Sequence, residues 1–287
     1  MILSLDVGAT HVKSGIVKDS HIENRLDYET PKDFEEFLEL LEKIISYYDG
    51  IKILSMAIAG QVDMKTGILK HAPNLGWKDI DVKSAVKDRL KKDLILINDV
   101  RAIAYGEYYY GRLKGVENGI CVFVGTGIGG GVIIDKELRF GCHSNLGEIG
   151  HMKLKPNGLK CTCGKRGCFE AYAGGLSLER YLKRLGYGKS LKDLANEKES
   201  DIAKKVFDRF TLYMSYGLAS LINVFNPCKI VLGGGVMMGF SFLFEDIKNK
   251  ALELAINPSV SNIKIELSSL GNDAGILGAY AFALKSL

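Results

Sequence analysis

The chain contains no apolar run approaching the roughly 18 residues that a membrane-crossing helix requires, which excludes a helical membrane protein. Its first ten residues carry Asp6 and no basic segment, so they do not read as a signal peptide. Cysteine is scarce, with 6 in 287 residues, and that excludes a disulfide scaffold. Charge of one sign is also lacking. Lys and Arg total 38 against 34 Asp and Glu, a net +4 that argues against a polyanion-coating surface. No low-complexity linker interrupts the chain. The remainder is ordinary for a soluble globular protein, with 47% hydrophobic and 25% charged residues. The length fits one large domain or two ordinary ones at roughly 100–200 residues each. A cytoplasmic protein is expected, with no membrane partner.

Hydrophobic periodicity supplies the elements. Ile2 to Val7 reads as a strand, and Val12 to Val17 as its return after a glycine turn. Phe34, Phe37, Leu38, Leu41, Ile44 and Ile45 form a helical stripe. Ile51–Ala59 reads as strand, Val82–Leu90 as helix, Leu94–Ile97 as a short buried strand, and Ala102–Tyr110 as helix. The opening pattern then recurs, with strand Ile120–Val124, a glycine turn Gly125–Gly131, and strand Val132–Ile134. This echo suggests two lobes of related architecture, each offering a backbone-rich turn to one ligand. Helices follow at Leu176–Leu185 and Ile202–Phe225, then strand Lys229–Leu232, the run Gly233-Gly234-Gly235, and a C-terminal helix from Ala274. The expected division is a smaller lobe over 1–112, with helix 274–287 packed back on it, and a larger lobe over 113–273.

The glycine turns are the first chemical signal. Such turns leave backbone N–H groups free to cradle phosphate. In the first, Asp6-Val-Gly8-Ala-Thr10-His-Val-Lys13, Thr10 adds a hydroxyl donor and Asp6 suits a hydrated Mg²⁺. In the second, Gly125-Thr126-Gly127, the spacing to Gly130 imitates a dinucleotide fingerprint. A strand follows instead of the helix that fingerprint requires, so a Rossmann site is disfavoured. Gly188-Lys-Ser is not a P-loop, because Lys183 stands where that motif needs glycine. Gly233-Gly234-Gly235 permits close backbone approach to a flat ligand.

The sharpest signal is His151 followed by Cys161, Cys163 and Cys168. Three thiolates and an imidazole match a closed, tetrahedral and therefore structural Zn²⁺ site. Carboxylates gather around it and at a strand end: Asn98-Asp99, Glu148 and Glu170. A strand-end carboxylate can take a proton from a hydroxyl nucleophile, although Asp99 could equally cap the helix that follows. Asn74 stands near Trp77, an arrangement that suits either a sugar ring or a plain turn.

Taken together these motifs resemble the ROK family of repressors, open reading frames and sugar kinases. The most specific stretches are Leu146-Gly-Glu-Ile-Gly-His151 and Cys161-Thr-Cys-Gly-Lys-Arg-Gly-Cys-Phe-Glu170. The resemblance covers nearly the whole chain, although Ala9 stands where glycine is usual. It implies a two-lobed, actin-like α/β fold of the ribonuclease H and hexokinase type, with a zinc-bound loop and with ATP and sugar between the lobes. It also implies roles. Asp99 would be the catalytic base, and Asn98, Glu148, His151 and Glu170 would hold sugar hydroxyls. Asp6, Gly8, Thr10, Lys13, Gly125, Thr126, Gly127, Gly234 and Gly235 would bind ATP with Mg²⁺. Ala72-Pro-Asn-Leu-Gly-Trp77 looks like the glucokinase branch, which would make Asn74 a further sugar contact. Gln61 stands where N-acetylmannosamine kinases of the family tend to carry Arg.

The implied reaction is ATP-dependent phosphorylation of a hexose 6-hydroxyl, with glucose first and mannose, fructose, N-acetylmannosamine or N-acetylglucosamine as alternatives. A homodimer is implied. A non-catalytic sugar-binding regulator is the competing class. The family's repressors carry an added N-terminal helix-turn-helix, whereas the first strand here is expected to begin at Ile2. The mild charge also gives no sign of a nucleic-acid face.

Overall fold

The computed structural model describes residues 1–142 and 144–287. The strands are β1 (Ile2–Val7), β2 (His11–Lys18), β3 (His21–Glu29), β4 (Ile53–Ile58), β5 (Gln61–Asp63), β6 (Ile68–Ala72), β7 (Trp77–Asp81), β8 (Asp93–Asn98), β9 (Gly119–Val124), β10 (Ile128–Ile134), β11 (Glu137–Arg139), β12 (Lys229–Gly233) and β13 (Lys264–Leu267). The helices are α1 (Phe34–Ser46), α2 (Val82–Leu90), α3 (Asp99–Tyr109), α4 (Glu170–Ala173), α5 (Gly175–Arg184), α6 (Leu191–Leu194), α7 (Asp201–Phe225), α8 (Gly235–Gly239), α9 (Phe244–Leu254), α10 (Asn257–Val260) and α11 (Ala274–Ser286). They fall into two compact units. The first holds Met1–Gly115, Leu138–Leu146 and Ser269–Leu287; the second holds Val116–Glu137 and Gly147–Ser268.

In the first unit the sheet order is β3-β2-β1-β4-β8. β1 runs antiparallel to β2 and parallel to β4, which runs parallel to β8. Helices cover the central parallel strands, so these read as nearly continuous apolar runs. Leu54, Met56, Ala57 and Ile58 of β4 are all fully buried. α1 buries Phe37, Leu38, Leu41 and Ile44 along one face, and Asp33 caps it by accepting the N–H groups of Glu35 and Glu36. α11 lies against α3 at van der Waals distance because both carry glycine at the crossing. A Cβ on Gly106 would stand 2.6 Å from the Ala274 carbonyl oxygen, and one on Gly278 would collide with that of Ala102. The C-terminal helix is thereby locked to the helix that begins at Asp99.

In the second unit the sheet order is β11-β10-β9-β12-β13. β9 is antiparallel to β10 and parallel to β12, and β12 is parallel to β13. The run β10-β9-β12-β13 therefore repeats β2-β1-β4-β8 in order and direction, the structural counterpart of the echo in the sequence. The long α7 packs Phe210, Met214, Leu218, Leu221 and Ile222 into the core, starts at a Ser200 cap, and stops where Asn226 turns left-handed at φ 43°.

Several expectations needed correction. β10 begins at Ile128, so Gly129–Gly131 belong to the strand rather than to the turn. Gly130 is demanded there by packing, since a Cβ would lie 2.6 Å from Ile149 Cδ1. Trp77 is 4% exposed, packs on Phe34 and Phe37, and donates its Nε1–H to the Lys32 carbonyl at 2.7 Å. It is a core residue, with no ring face free for a sugar. Among the described residues, no helix is long and apolar enough to cross a membrane.

Candidate functional site

The first unit brings two carboxylates to one end of its sheet. Asp6 pairs in register with Ala57 of β4, and Ile58 pairs with Asn98 of β8, so β1 and β8 finish on either side of β4. Asp99 follows immediately. Burial pushes its pKa up to about 7, the neighbouring Asp6 charge adds to this, and backbone N–H groups with Arg101 oppose it. The role of helix cap falls to Asn98, whose Oδ1 accepts the Arg101 N–H at 3.2 Å. Asn98 Nδ2 donates to the Gly60 carbonyl at 2.9 Å and to Asp99 Oδ1 at 2.8 Å. The Asp99 carboxylate is thus oriented by Asn98 and by the backbone N–H groups that open α3. Burial likewise raises Asp6, opposed by Lys13 and Arg25. Gly275 opens α11 beside it, and a Cβ there would stand 2.5 Å from Asp6 Cγ.

The turn after β1 is bolted from behind. Thr30 Oγ1 donates to the Gly8 carbonyl at 2.8 Å, and the Thr30 N–H donates to the Thr10 carbonyl at 3.0 Å. The Gly8 N–H closes the hairpin on the His11 carbonyl at 2.9 Å. Thr10 is exposed and Lys13 partly so. Asn74 lies exposed in the turn between β6 and β7, where its carbonyl accepts from Lys32 Nζ at 3.3 Å.

The second unit holds the matching turn. The Gly125 N–H closes it on the Gly127 carbonyl at 3.0 Å. The Gly125 carbonyl accepts from the Gly175 N–H, and that of Thr126 from the Leu176 N–H, each at 2.9 Å. Gly175 would collide with Gly125 and Val236 if it carried a Cβ, and Gly234 sits at φ +88° with its Cα against Val124. Three backbones therefore converge: the turn, the start of α5, and the β12–α8 junction. A Cβ on Gly125 or Gly235 would meet nothing within 4 Å, so open space lies beside both. Gly174-Gly175, two adjacent glycines where a helix begins, is the sequence signal for this close approach, and it lies outside the glycine turns.

The loop that carries the Cys and His cluster lies in the same unit. The ligating atoms of His151, Cys161, Cys163 and Cys168 all lie within 4.8 Å of one another. Cys163 Sγ is 3.8 Å from Cys168 Sγ, and Cys161 Sγ is 3.7 Å from His151 Nδ1. With Zn–S bonds of about 2.3 Å, tetrahedral geometry places sulfurs about 3.8 Å apart, so the donor set fits Zn²⁺. Nδ1 faces the sulfurs, and Nε2 stands 3.9 Å from Glu148 Oε2 on the other side of the ring. Lys153 Nζ donates to Cys168 Sγ at 2.8 Å, a contact the sequence did not suggest. Burial pushes the Cys161 thiol up to about 12. Phe169 is fully buried on α7, where Gly217 makes room for its ring.

Glu170 joins this loop to the glycine turn. Its Oε2 accepts the Ile128 N–H at 3.0 Å, and its Oε1 accepts the Thr162 hydroxyl at 2.6 Å. Thr162, between two cysteines, was not singled out by its sequence context.

Two sheets of matching strand order, each with a glycine hairpin turn, and a carboxylate at a strand end define an actin-like fold of the hexokinase type. The ROK family profile matches residues 2–286, and the chain belongs to that family. It is glucokinase-like within it. A glucokinase from Streptomyces coelicolor is 28% identical over 97% of this chain and 96% of its own length. An N-acetylmannosamine kinase from Haemophilus influenzae is 31% identical over 96% of this chain and 93% of its own. The crystal structure of a ROK glucokinase from Streptomyces griseus, in complex with glucose and AMPPNP, superposes with a TM-score of 0.86 at 29% identity, covering 99% of both chains.

Proposed function

We propose that this chain is an ATP-dependent hexose kinase that phosphorylates the sugar 6-hydroxyl, with glucose as the preferred acceptor. The observation that carries the reading is Asp99: a strand-end carboxylate, oriented by Asn98, which takes the N-cap position, and held at a pKa of about 7. A base poised near the working pH is matched to accepting a hydroxyl proton as the oxygen attacks.

In this mechanism the hydroxyl donates its proton to Asp99 while its oxygen attacks the γ-phosphate of ATP in line. Glu148, His151 and Glu170 hold other hydroxyls, with Asn98 and Asn74 as further contacts. The zinc-bound Nδ1 would fix the imidazole ring and present Nε2 to Glu148 and the sugar. His151, Cys161, Cys163 and Cys168 would hold Zn²⁺, which would give a loop with few apolar residues a rigid tie. The turns Gly8–Thr10, with Lys13, and Gly125–Gly127 offer N–H and hydroxyl donors where charge develops on the phosphates. Asp6 suits a hydrated Mg²⁺, an oxygen-seeking ion that keeps much of its water. Gly234 and Gly235 leave room for the nucleoside.

The S. coelicolor and S. griseus relatives support glucose. The H. influenzae relative supports N-acetylmannosamine as a second reading, and Gln61 weighs against it by the family pattern named above. The test is ADP release from Mg-ATP with glucose, mannose, fructose, N-acetylglucosamine and N-acetylmannosamine in parallel. Glucose should give the highest kcat/KM. A higher value for another sugar would move the assignment to that sugar, and no turnover with any sugar in zinc-loaded protein would overturn the kinase reading.

A further inference from the structure

Behind the zinc loop, within the second unit, lies a cavity of about 490 Å³ that the proposed reaction does not use. Its lining includes Lys155, Lys160, Arg166 and Arg209 together with Tyr172 and Tyr213, and no carboxylate. Among the described residues none of these four cations forms an ion pair. Exposed lysines alone would mean little, because a solvated ammonium needs no counterion.

Arg209 is different. Its guanidinium is half-buried and stacks among the rings of Tyr172, Tyr181 and Tyr213, with centroids 4.7–5.4 Å away. Nε donates to the Tyr172 carbonyl at 3.2 Å and Nη2 to that of Ala171 at 3.3 Å, two of the five donors of the group. The charged group that bears on it is another arginine, Arg184, and the tyrosines around it are neutral. Ring faces and carbonyl oxygens stabilise this cation, and no carboxylate in the lining neutralises it, so an anion can still pair with it. The fork of remaining donors suits the oxygens of a phosphoryl group.

The walls are built as well. Tyr172 and Tyr213 stack at 4.2 Å, the Tyr172 hydroxyl accepts the Leu159 N–H at 2.9 Å, and Arg166 donates to the Gly158 carbonyl at 3.2 Å. We propose that this cavity binds a small molecule bearing a phosphoryl dianion, with Arg209 at its floor and Lys155, Lys160 and Arg166 at its rim. The ligand would tie the zinc loop to α7, and it would touch Tyr172 two residues along the short helix that Glu170 begins. The inference does not rest on the kinase reading, since the cavity shares no residue with the proposed site.

The test is calorimetric titration of the full-length, zinc-loaded protein with inorganic phosphate and, separately, with a hexose 6-phosphate. Each is repeated on the double variant Lys155→Gln, Lys160→Gln and on Arg209→Lys, with zinc content measured alongside. Loss of two charge-assisted contacts should weaken binding at least about tenfold in the double variant, with zinc content unchanged. Arg209→Lys keeps the charge but not the fork and should also weaken it. Tighter binding of the hexose phosphate that both variants weaken would identify a sugar phosphate as the ligand; equal binding of the two that both variants weaken would show that the phosphoryl group alone is recognised. No saturable binding, or binding that both variants leave unchanged, would overturn the proposal. Binding at the glycine turns would appear as that second result, because neither variant touches them.

Discussion

Asp99 shares the carboxyl end of its sheet with Asp6, and burial together with the Asp6 charge holds its pKa at about 7. Two carboxylates forced together in this way cannot both ionise freely, so Asp99 stays partly protonated in a pH range where an ordinary aspartate would be fully charged.

A pH profile follows directly. The proposed base must be ionised to act, so kcat/KM should rise with pH through about 7 and then level off. Saturating zinc and Mg-ATP should be kept constant across the series. A profile that is flat down to about pH 5.5 would contradict the assigned role, because an ordinary carboxylate near 4 would already be ionised there.

The same shift has a cost in stability. The folded chain holds the Asp99 proton to about pH 7, whereas the unfolded chain releases it near 3.8. The folded state therefore binds more protons between those values, and the contribution of Asp99 to stability is lost as pH rises through about 7. Asp99→Asn removes this titration. Its Tm should exceed that of the native protein at pH 8, and the gap should narrow as the pH is lowered. Thermal denaturation of both proteins at several pH values checks the sign.

Metal removal should act on sugar affinity more than on the global fold. Cys163→Ser breaks the donor set at an exposed position, while Phe169 still anchors the end of the loop on α7. Loss of metal-site support typically costs about 10–100-fold in affinity or activity, so the sugar KM should rise by that order with far-ultraviolet circular dichroism little changed. Metal analysis together with sugar titration tests it.

Gly125 and Gly127 should respond differently to alanine. A Cβ on Gly125 meets nothing within 4 Å, whereas one on Gly127 strikes the Glu170 carboxylate. Gly127→Ala must displace Glu170 and strip the Ile128 N–H of its acceptor, a loss of about 1–3 kcal/mol for a buried donor. Gly127→Ala should lower Tm and raise the KM for sugar, and Gly125→Ala should leave Tm unchanged. Equal effects on Tm would contradict the packing account.

Much of the architecture was legible because its strands and helices are strongly periodic. α1 shows its stripe from Phe34 to Ile45, and the β9–β10 hairpin repeats the β1–β2 pattern. β3 is weakly marked in the sequence because His21–Glu29 is an edge strand with no fully buried residue, and Asn24 interrupts the apolar series of Ile22, Leu26 and Tyr28. β5, β6 and β7 are short, and only Val62, Leu69, Ala72 and Trp77 among them are buried. The Cys and His cluster was legible because thiolates and imidazole at close spacing are a distinctive donor set, and the structure brings the four side chains together. The contacts of Lys153 and Thr162 were not, since a lysine or threonine in a loop is ordinary until its neighbours in space are known. The glycines of the α3–α11 crossing were hidden for the same reason: Gly106 and Gly278 are far apart in sequence, and only packing relates them.

The most direct test of the central claim is turnover of Asp99→Asn on glucose with Mg-ATP, measured together with glucose binding. The substitution keeps the size and the hydrogen-bonding reach of the side chain and removes its capacity to accept the proton. The account predicts glucose binding within a few-fold of native and kcat reduced by at least about 10²-fold, the usual contribution of a general base. A variant that retains near-native kcat would remove Asp99 from the reaction and leave the proposed mechanism without its base.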